Sequence, residues 1–314
     1  MEYSSLGNTG LSVSRLALGC EPLGGTDWGQ VNVAAAMSAV TRALELGITV
    51  FDTADVYGLG LSEQRLAQAL GPRRHDVVIV SKFGVAWDRP TEGGRARTYR
   101  DASPGRVKVA LEESLRRLGI DSIPLYLIHW PDPQTPIGAT MEALAQMKDQ
   151  GKIQHLGVSN LDQKQIHEAR QHGPLAAIEV QYSLLERGEE SGILPYAQKH
   201  GLGVLAYGVL AQGMLTGKYG PDSEFDERDR RHRLPHFTGQ GRVQAMKTVD
   251  RLIDVAARTG VKPGPAAIRW VLDNPAVHCA IVGGKTPTQV EEDVGTIGWQ
   301  MPREERRYLE AETA

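Results

Sequence analysis

Side chains able to move protons stand just past short apolar runs. Asp52 follows ITVF, Lys82 follows VVIVS, His129 follows LYLI, and Tyr57 lies in the stretch after Asp52. Reducing a carbonyl requires a hydride on carbon and a proton on oxygen. A tyrosine is a weak acid, with a reference pKa of about 10, but a neighbouring lysine ammonium favours the phenolate and lowers that value. A carboxylate such as Asp52 would keep Lys82 charged and oriented. His129 would donate a hydrogen bond to the substrate oxygen. Taken singly, each residue has a plain structural explanation: a turn aspartate, a surface lysine, a hydrogen-bonded core histidine. Their coincidence at the ends of successive apolar runs points to chemistry.

The elements that must position them follow a repeated alternation. Apolar, strand-like runs lie at 15–19, 48–52, 77–81, 123–128, 153–158, 177–181, 203–207 and 277–282. Most are nearly continuous, as in strands buried on both faces. Helical patterns lie at 34–46, 62–70, 103–118, 137–150, 162–172, 190–200 and 243–259. In the third of these Ser103 caps, Pro104 takes the first helical position and Gly119 stops the helix, while Ser62 is the expected cap of the second. Eight strand–helix units predict an α/β fold, a (β/α)8 TIM barrel formed as a single domain over 1–314. Residues 2–6 and 11–14 flank the turn signal Gly7-Asn8-Thr9-Gly10, which predicts a hairpin closing the barrel bottom. The long polar loop at 217–242, between strands seven and eight, reads as a solvated loop or as a lid over the top. In such a barrel the site forms where the strands end.

Several segments resemble the aldo-keto reductase family, in the right order and over nearly the whole chain. FDTADVYGLGLSEQRLAQAL resembles the family signature carrying Asp52 and Tyr57. VIVSKF and LIHWPDP resemble the segments of the catalytic Lys82 and His129, and GVSN and IEVQYS resemble the nicotinamide segments. The resemblance implies an NADPH-dependent enzyme that reduces an aldehyde or ketone, with Tyr57 as proton donor. By the same similarity Ser159, Asn160 and Gln181 would hold the carboxamide, and Tyr207 would stack on the nicotinamide. Gly208, Leu210, Gln212, Gly213 and Lys218 would line the pyrophosphate. Lys285 would meet the 2′-phosphate, with Thr286 nearby and Gly283 also in the cofactor site, and Gln289 and Asp293 would face the adenine. Two positions depart from the family pattern. Gly208 stands where a serine-like residue is usual, removing one phosphate hydrogen bond, and Asp293 stands where asparagine is usual. A carboxylate can accept from the adenine amino group, but it donates to a ring nitrogen only when protonated. No dinucleotide or P-loop fingerprint competes: the Gly201–Ala206 match runs into a strand, and Gly284-Lys285-Thr286 lacks the upstream glycine.

Trp28, Trp87 and Trp130 follow strand ends and are expected to line the substrate pocket, with Glu21 and Asp88 placed to touch a polar substrate. The expected partner is a small carbonyl compound. A nucleotide-activated keto-deoxysugar remains an alternative substrate, and an NADPH-binding redox sensor remains an alternative of another class. The sequence leaves the natural substrate and oligomeric state open. Its 314 residues carry a net charge of −3, which gives no electrostatic case for nucleic acid or anionic membrane. No apolar run reaches the ~18 residues of a membrane span. The start, MEYSSLGNTG, has no basic or apolar leader pattern, so a cytoplasmic protein is expected. Cys20 and Cys279 form neither a disulfide framework nor a zinc pattern, and no metal is expected.

Overall fold

The computed structural model describes residues 1–88 and 96–311. Its strands are β1 (Tyr3–Ser5), β2 (Ser12–Ser14), β3 (Leu16–Gly19), β4 (Val50–Asp52), β5 (Val78–Phe83), β6 (Val85–Trp87), β7 (Thr98–Arg100), β8 (Ile123–Ile128), β9 (Ile153–Ser159), β10 (Leu175–Gln181), β11 (Gly203–Tyr207) and β12 (Cys279–Gly283). Its helices are α1 (Val33–Glu45), α2 (Leu61–Leu70), α3 (Pro104–Leu118), α4 (Ile137–Asp149), α5 (Gln163–His172), α6 (Ile193–His200), α7 (Gly239–Thr259), α8 (Pro263–Leu272), α9 (Pro287–Val294) and α10 (Arg303–Glu310). Strands β3, β4, β5, β8, β9, β10, β11 and β12 pair in parallel, in that order, and β12 closes on β3. This is the expected (β/α)8 barrel.

Side chains alternate across each strand, and the barrel uses both faces. Leu16, Leu18, Phe51, Ile79, Tyr126 and Val158 point outward into the layer beneath the helices. Ala17, Val50, Val80, Leu125, Leu127, Ala177, Leu205 and Cys279 point inward and fill the barrel. The β1–β2 hairpin plugs the bottom, since its Leu6 and Val13 belong to that inner cluster and are fully buried. Gly7 makes the plug possible. Its φ is +51°, and a Cβ there would lie 2.3 Å from the Gly203 amide nitrogen.

Helix ends follow the chemistry of their caps. Ser103 Oγ accepts from the Arg106 amide at 3.4 Å, Pro104 opens α3, and Gly119 ends it in the left-handed conformation. At α5, Asp162 and Gln165 form a reciprocal capping box. Ser62 behaves differently from its expected role. The helix starts one residue earlier, after Gly60, and Ser62 is buried. Its hydroxyl donates to the Cys20 carbonyl at 2.7 Å and lies 2.9 Å from Thr53 Oγ1, joining the segments after β3 and β4.

Two features go beyond the eightfold alternation. The segment after β5 contains the antiparallel β6–β7 hairpin, and two helices, α7 and α8, separate β11 from β12. No described helix is long and apolar enough to cross a membrane.

Candidate active site

Stepping up the inward face from the barrel core exposes the polar end of each strand. Val50 leads to Asp52, Val80 to Lys82, Leu127 to His129, Ala177 to Glu179 and Leu205 to Tyr207. The register places Asp52 opposite Val80, Ser159 opposite Glu179, and Gln181 opposite Tyr207. Asp52, His129, Glu179 and Tyr207 line one cavity at the C-terminal end of the barrel, with a volume of about 820 Å³, and Lys82 is buried against Asp52. The expected catalytic residues converge there. Lys82 Nζ is completely buried and donates to Asp52 Oδ2 at 2.5 Å and to the Thr53 carbonyl at 3.1 Å. Lys82 Nζ lies 5.6 Å from the centre of the Tyr57 ring, and the His129 ring meets Tyr57 edge-on at 5.7 Å.

Glu179 was not singled out in the sequence. It is buried, and its Oε2 lies 3.3 Å from Lys82 Nζ. That oxygen has Lys82 as a charge partner but no hydrogen-bond donor. The available signal was its position: a charged residue two steps above Ala177 on the inward face of an apolar strand. Gln181, chosen for its amide, is one pleat higher, exposed on the rim and outside the cavity lining.

Burial sets the electrostatics. Lys82 is held well above its usual range by Asp52 and Glu179, which outweigh desolvation. Burial raises Asp52 even against Lys82, and pushes Glu179 up to about 8 with Asp52 adding to the rise. Tyr57 departs from expectation. Burial raises its phenol well above the ordinary value, and Glu21, Asp52 and Glu179 reinforce this against the pull of Lys82. The lysine charge is shared among several anions, so its effect on the phenol is diluted. Burial, Lys82 and Arg100 hold His129 well below its usual value, so its ring is neutral near pH 7. Its buried Nδ1 has no partner.

The expected cofactor residues continue along the cavity. Asn160, Tyr207, Gly208, Leu210, Gln212, Gly213, Lys218, Gly283, Lys285, Gln289 and Asp293 line it. Ser159 is buried at the end of β9, and Thr286 caps α9. Asn160 has φ +58°, Ala211 +45° and Gln212 +54°. Non-glycine residues in this conformation carry strain that folded structure retains mainly at functional positions. Asn160 Nδ2 donates to the His129 carbonyl and Ser159 Oγ, and its Oδ1 accepts from the Tyr207 hydroxyl at 2.6 Å. Gly208 has φ +67°, which gives a conformational reason for glycine where serine is usual. Burial and Glu292 push Asp293 up to about 8, so a protonated, donating form is accessible near neutrality.

The aromatic expectations divide. Trp28 and Trp130 line the cavity. Trp87 does not; its ring lies against the Arg106 guanidinium, 5.5 Å from the ring centre, outside the cavity lining. Asp88 is also absent from the lining, whereas Glu21 is present and paired with Arg230. The loop between β11 and α7 reaches the top of the barrel. Arg230 N–H donates to the Asp27 carbonyl at 2.9 Å, Asp229 bridges to Trp28, and Lys218, Tyr219 and Arg231 join the lining. The lid reading therefore describes it better than a free solvated loop. Among the described residues, no cluster of three His, Cys, Asp or Glu side chains could hold a metal ion.

Comparison with known proteins agrees with this geometry. Residues 15–312 match the sequence model of the Aldo/keto reductase family. The chain belongs to the aldo/keto reductase family. It is 35% identical to the aldo-keto reductase YhdN of Bacillus subtilis over 98% of this chain and 92% of the relative. It is 31% identical to the NADH-specific methylglyoxal reductase of Escherichia coli over 95% of this chain and 94% of that enzyme. The solved glycerol dehydrogenase AKR11B4 of Gluconobacter oxydans superposes with a TM-score of 0.88 at 37% identity, covering 96% and 91% of the two chains. As an aldo/keto reductase, this chain is an oxidoreductase that uses a nicotinamide cofactor and a small-molecule substrate.

Proposed function

We propose that this aldo/keto reductase uses NADPH to reduce an aldehyde or ketone to an alcohol, with Tyr57 giving the proton. The observation that carries this reading is the buried Lys82–Asp52 pair, 2.5 Å apart, with Lys82 Nζ 5.6 Å from the Tyr57 ring and Asp52, Tyr57 and His129 lining one cavity. The whole chain acts as one barrel domain, in the cytoplasm.

The cavity residues fit a nicotinamide dinucleotide. Ser159 retains its hydroxyl hydrogen to donate, and Asn160 Oδ1 retains a lone pair to accept, which together match a carboxamide. Tyr207 would cover the nicotinamide ring. Gly208 and Gly213, without side-chain bulk, would let the backbone approach the pyrophosphate. Lys218, Arg231 and Lys285 bring cationic groups to the far end, and burial, with repulsion from Arg231 and Lys218, lowers Lys285 to about 8. Lys285 also donates to the Trp28 carbonyl at 3.2 Å, so it is already oriented in the cavity wall. This cationic end supports NADPH over NADH. Asp293 in its protonated form would donate to the adenine.

When bound, the reduced nicotinamide would supply the hydride taken up by the carbonyl carbon. The neutral His129 donates a hydrogen bond to the carbonyl oxygen and fixes its position. It is a poor proton source because its pKa is depressed. Tyr57 gives its proton to that oxygen, and the phenolate formed is stabilised by the Lys82 charge. Asp52 keeps Lys82 protonated and in place. Trp28 and Trp130 offer flat apolar walls to the rest of the substrate.

The direct test is oxidation of NADPH, with NADH beside it, in the presence of aromatic aldehydes, sugars and ketones. Carbonyl-dependent turnover that favours NADPH is expected. Tight cofactor binding without turnover on any carbonyl would contradict the proposed reaction.

A further inference from the structure

Glu179 is a buried ionisable group of the cavity lining that the reaction above does not use. It sits on β10, with Ser159 of β9 beside it, and its electrostatic neighbours are Asp52 of β4, Lys82 of β5, Tyr57, Tyr207 of β11 and Cys279 of β12. A buried lysine flanked by two carboxylates carries one positive charge against two negative ones. Desolvation makes that uncompensated charge expensive, and one proton on the carboxylate pair removes it. Asp52 holds the 2.5 Å bond to Lys82, while Glu179 Oε2 is 3.3 Å away and has no hydrogen-bond donor. The proton therefore resides mainly on Glu179.

This matters for Tyr57. Proton donation by Tyr57 leaves a new negative charge beside Lys82. With Glu179 neutral, Lys82 serves one carboxylate and the phenolate. With Glu179 ionised, the same single charge faces two carboxylates and the phenolate, and the phenol becomes a poorer acid. We propose that Glu179 is a positioning acid of the active site, whose bound proton reserves the Lys82 charge for the Tyr57 phenolate during carbonyl reduction. This inference rests on the reductase reading. It adds a residue that acts through Lys82 without touching the reacting atoms.

The sign of the pH effect follows. Burial pushes Glu179 up to about 8, so it is protonated below that pH and ionised above it. Reduction must weaken as pH rises through this range. Lys285 and Asp293 titrate nearby but face the distal cofactor end, so their ionisation acts on cofactor affinity. The informative quantity is kcat with both substrates saturating.

The test compares kcat at about pH 7 and about pH 9 within each protein, where a single ionisation gives up to about a tenfold change per pH unit. Wild type is expected to lose about tenfold across the interval. Glu179→Gln is expected to show a ratio near one, because it cannot ionise. Glu179→Asp, which withdraws the acid by one methylene, is expected to move the inflection. A flat wild-type profile, or the same loss in Glu179→Gln, would overturn the proposal. A second readout needs neither turnover nor a variant. In protein carrying ¹³C-labelled glutamate, an isotope-shifted infrared carbonyl band of a protonated acid is expected at neutral pH and lost as pH passes about 8. Absence of that band would overturn the proposal even in an enzyme without a known substrate. Absence of turnover together with the band would overturn the reductase reading alone.

Discussion

Asp52, Lys82 and His129 stood out in the sequence because three ionisable side chains end successive apolar runs, a coincidence on one rim that their single structural roles do not explain. Tyr57 followed from its resemblance-bearing segment. Glu179 was harder to see. It lies inside a strand, charged residues are seldom fully buried, and Gln181 nearby offered an amide that suited the expected carboxamide. Strand parity places both on the same face, so only depth separates them: Glu179 lies one pleat deeper. Trp87 followed a strand end as Trp130 does, but the β6–β7 hairpin turns it under Arg106. At this scale Lys285 gives the sharpest cofactor test. A lysine reads phosphate as a point charge, and here it lies in the same cavity wall as Lys218 and Arg231. Lys285→Ala is expected to raise the dissociation constant for NADPH by about tenfold or more, a loss of ~1.4 kcal/mol, and that for NADH by much less. Fluorescence titration of both cofactors measures this, and equal weakening would remove Lys285 from 2′-phosphate recognition.

At the level of elements, the parallel strands were legible because they are buried on both faces and read as continuous apolar runs. Their bounds agree closely with expectation: 123–128 and 203–207 are reproduced, and 77–81 extends to Phe83. The β6–β7 hairpin was not legible, since each strand has only three residues and β7 is exposed throughout. Helix α8 was passed over because its Pro263-Gly264-Pro265 opening reads as a turn, although proline suits the first helical turn. The hairpin plug was legible from its turn residues, and it makes an energetic prediction. Leu6 is fully buried against the inner core, and Gly203 approaches it closely from β11. Leu6→Ala leaves a cavity at the barrel bottom, far from the catalytic end. It is expected to lower unfolding stability by about 2–5 kcal/mol while leaving the KM for cofactor unchanged. Denaturant unfolding and steady-state kinetics on the same preparation check both halves.

Across the whole molecule, the barrel separates stability from chemistry. The lower layers are apolar and closed by the hairpin, whereas the upper layer holds charged groups whose pKa values are moved by burial. The loop from Lys218 to Arg233 ties this end to the segment after β3, through Arg230 with Glu21 and Asp229 with Trp28. Its sequence showed only mixed charge, because ion pairs between distant segments leave no local pattern. The slight net charge of −3 conceals this local arrangement. The central claim is that the upper layer is built to deliver a proton from Tyr57. The most direct measurement is kcat for carbonyl reduction by Tyr57→Phe, with NADPH binding measured on the same protein. The account predicts a loss of about 10²–10⁴-fold in kcat with the cofactor dissociation constant little changed. Turnover at the wild-type rate in that variant would contradict it.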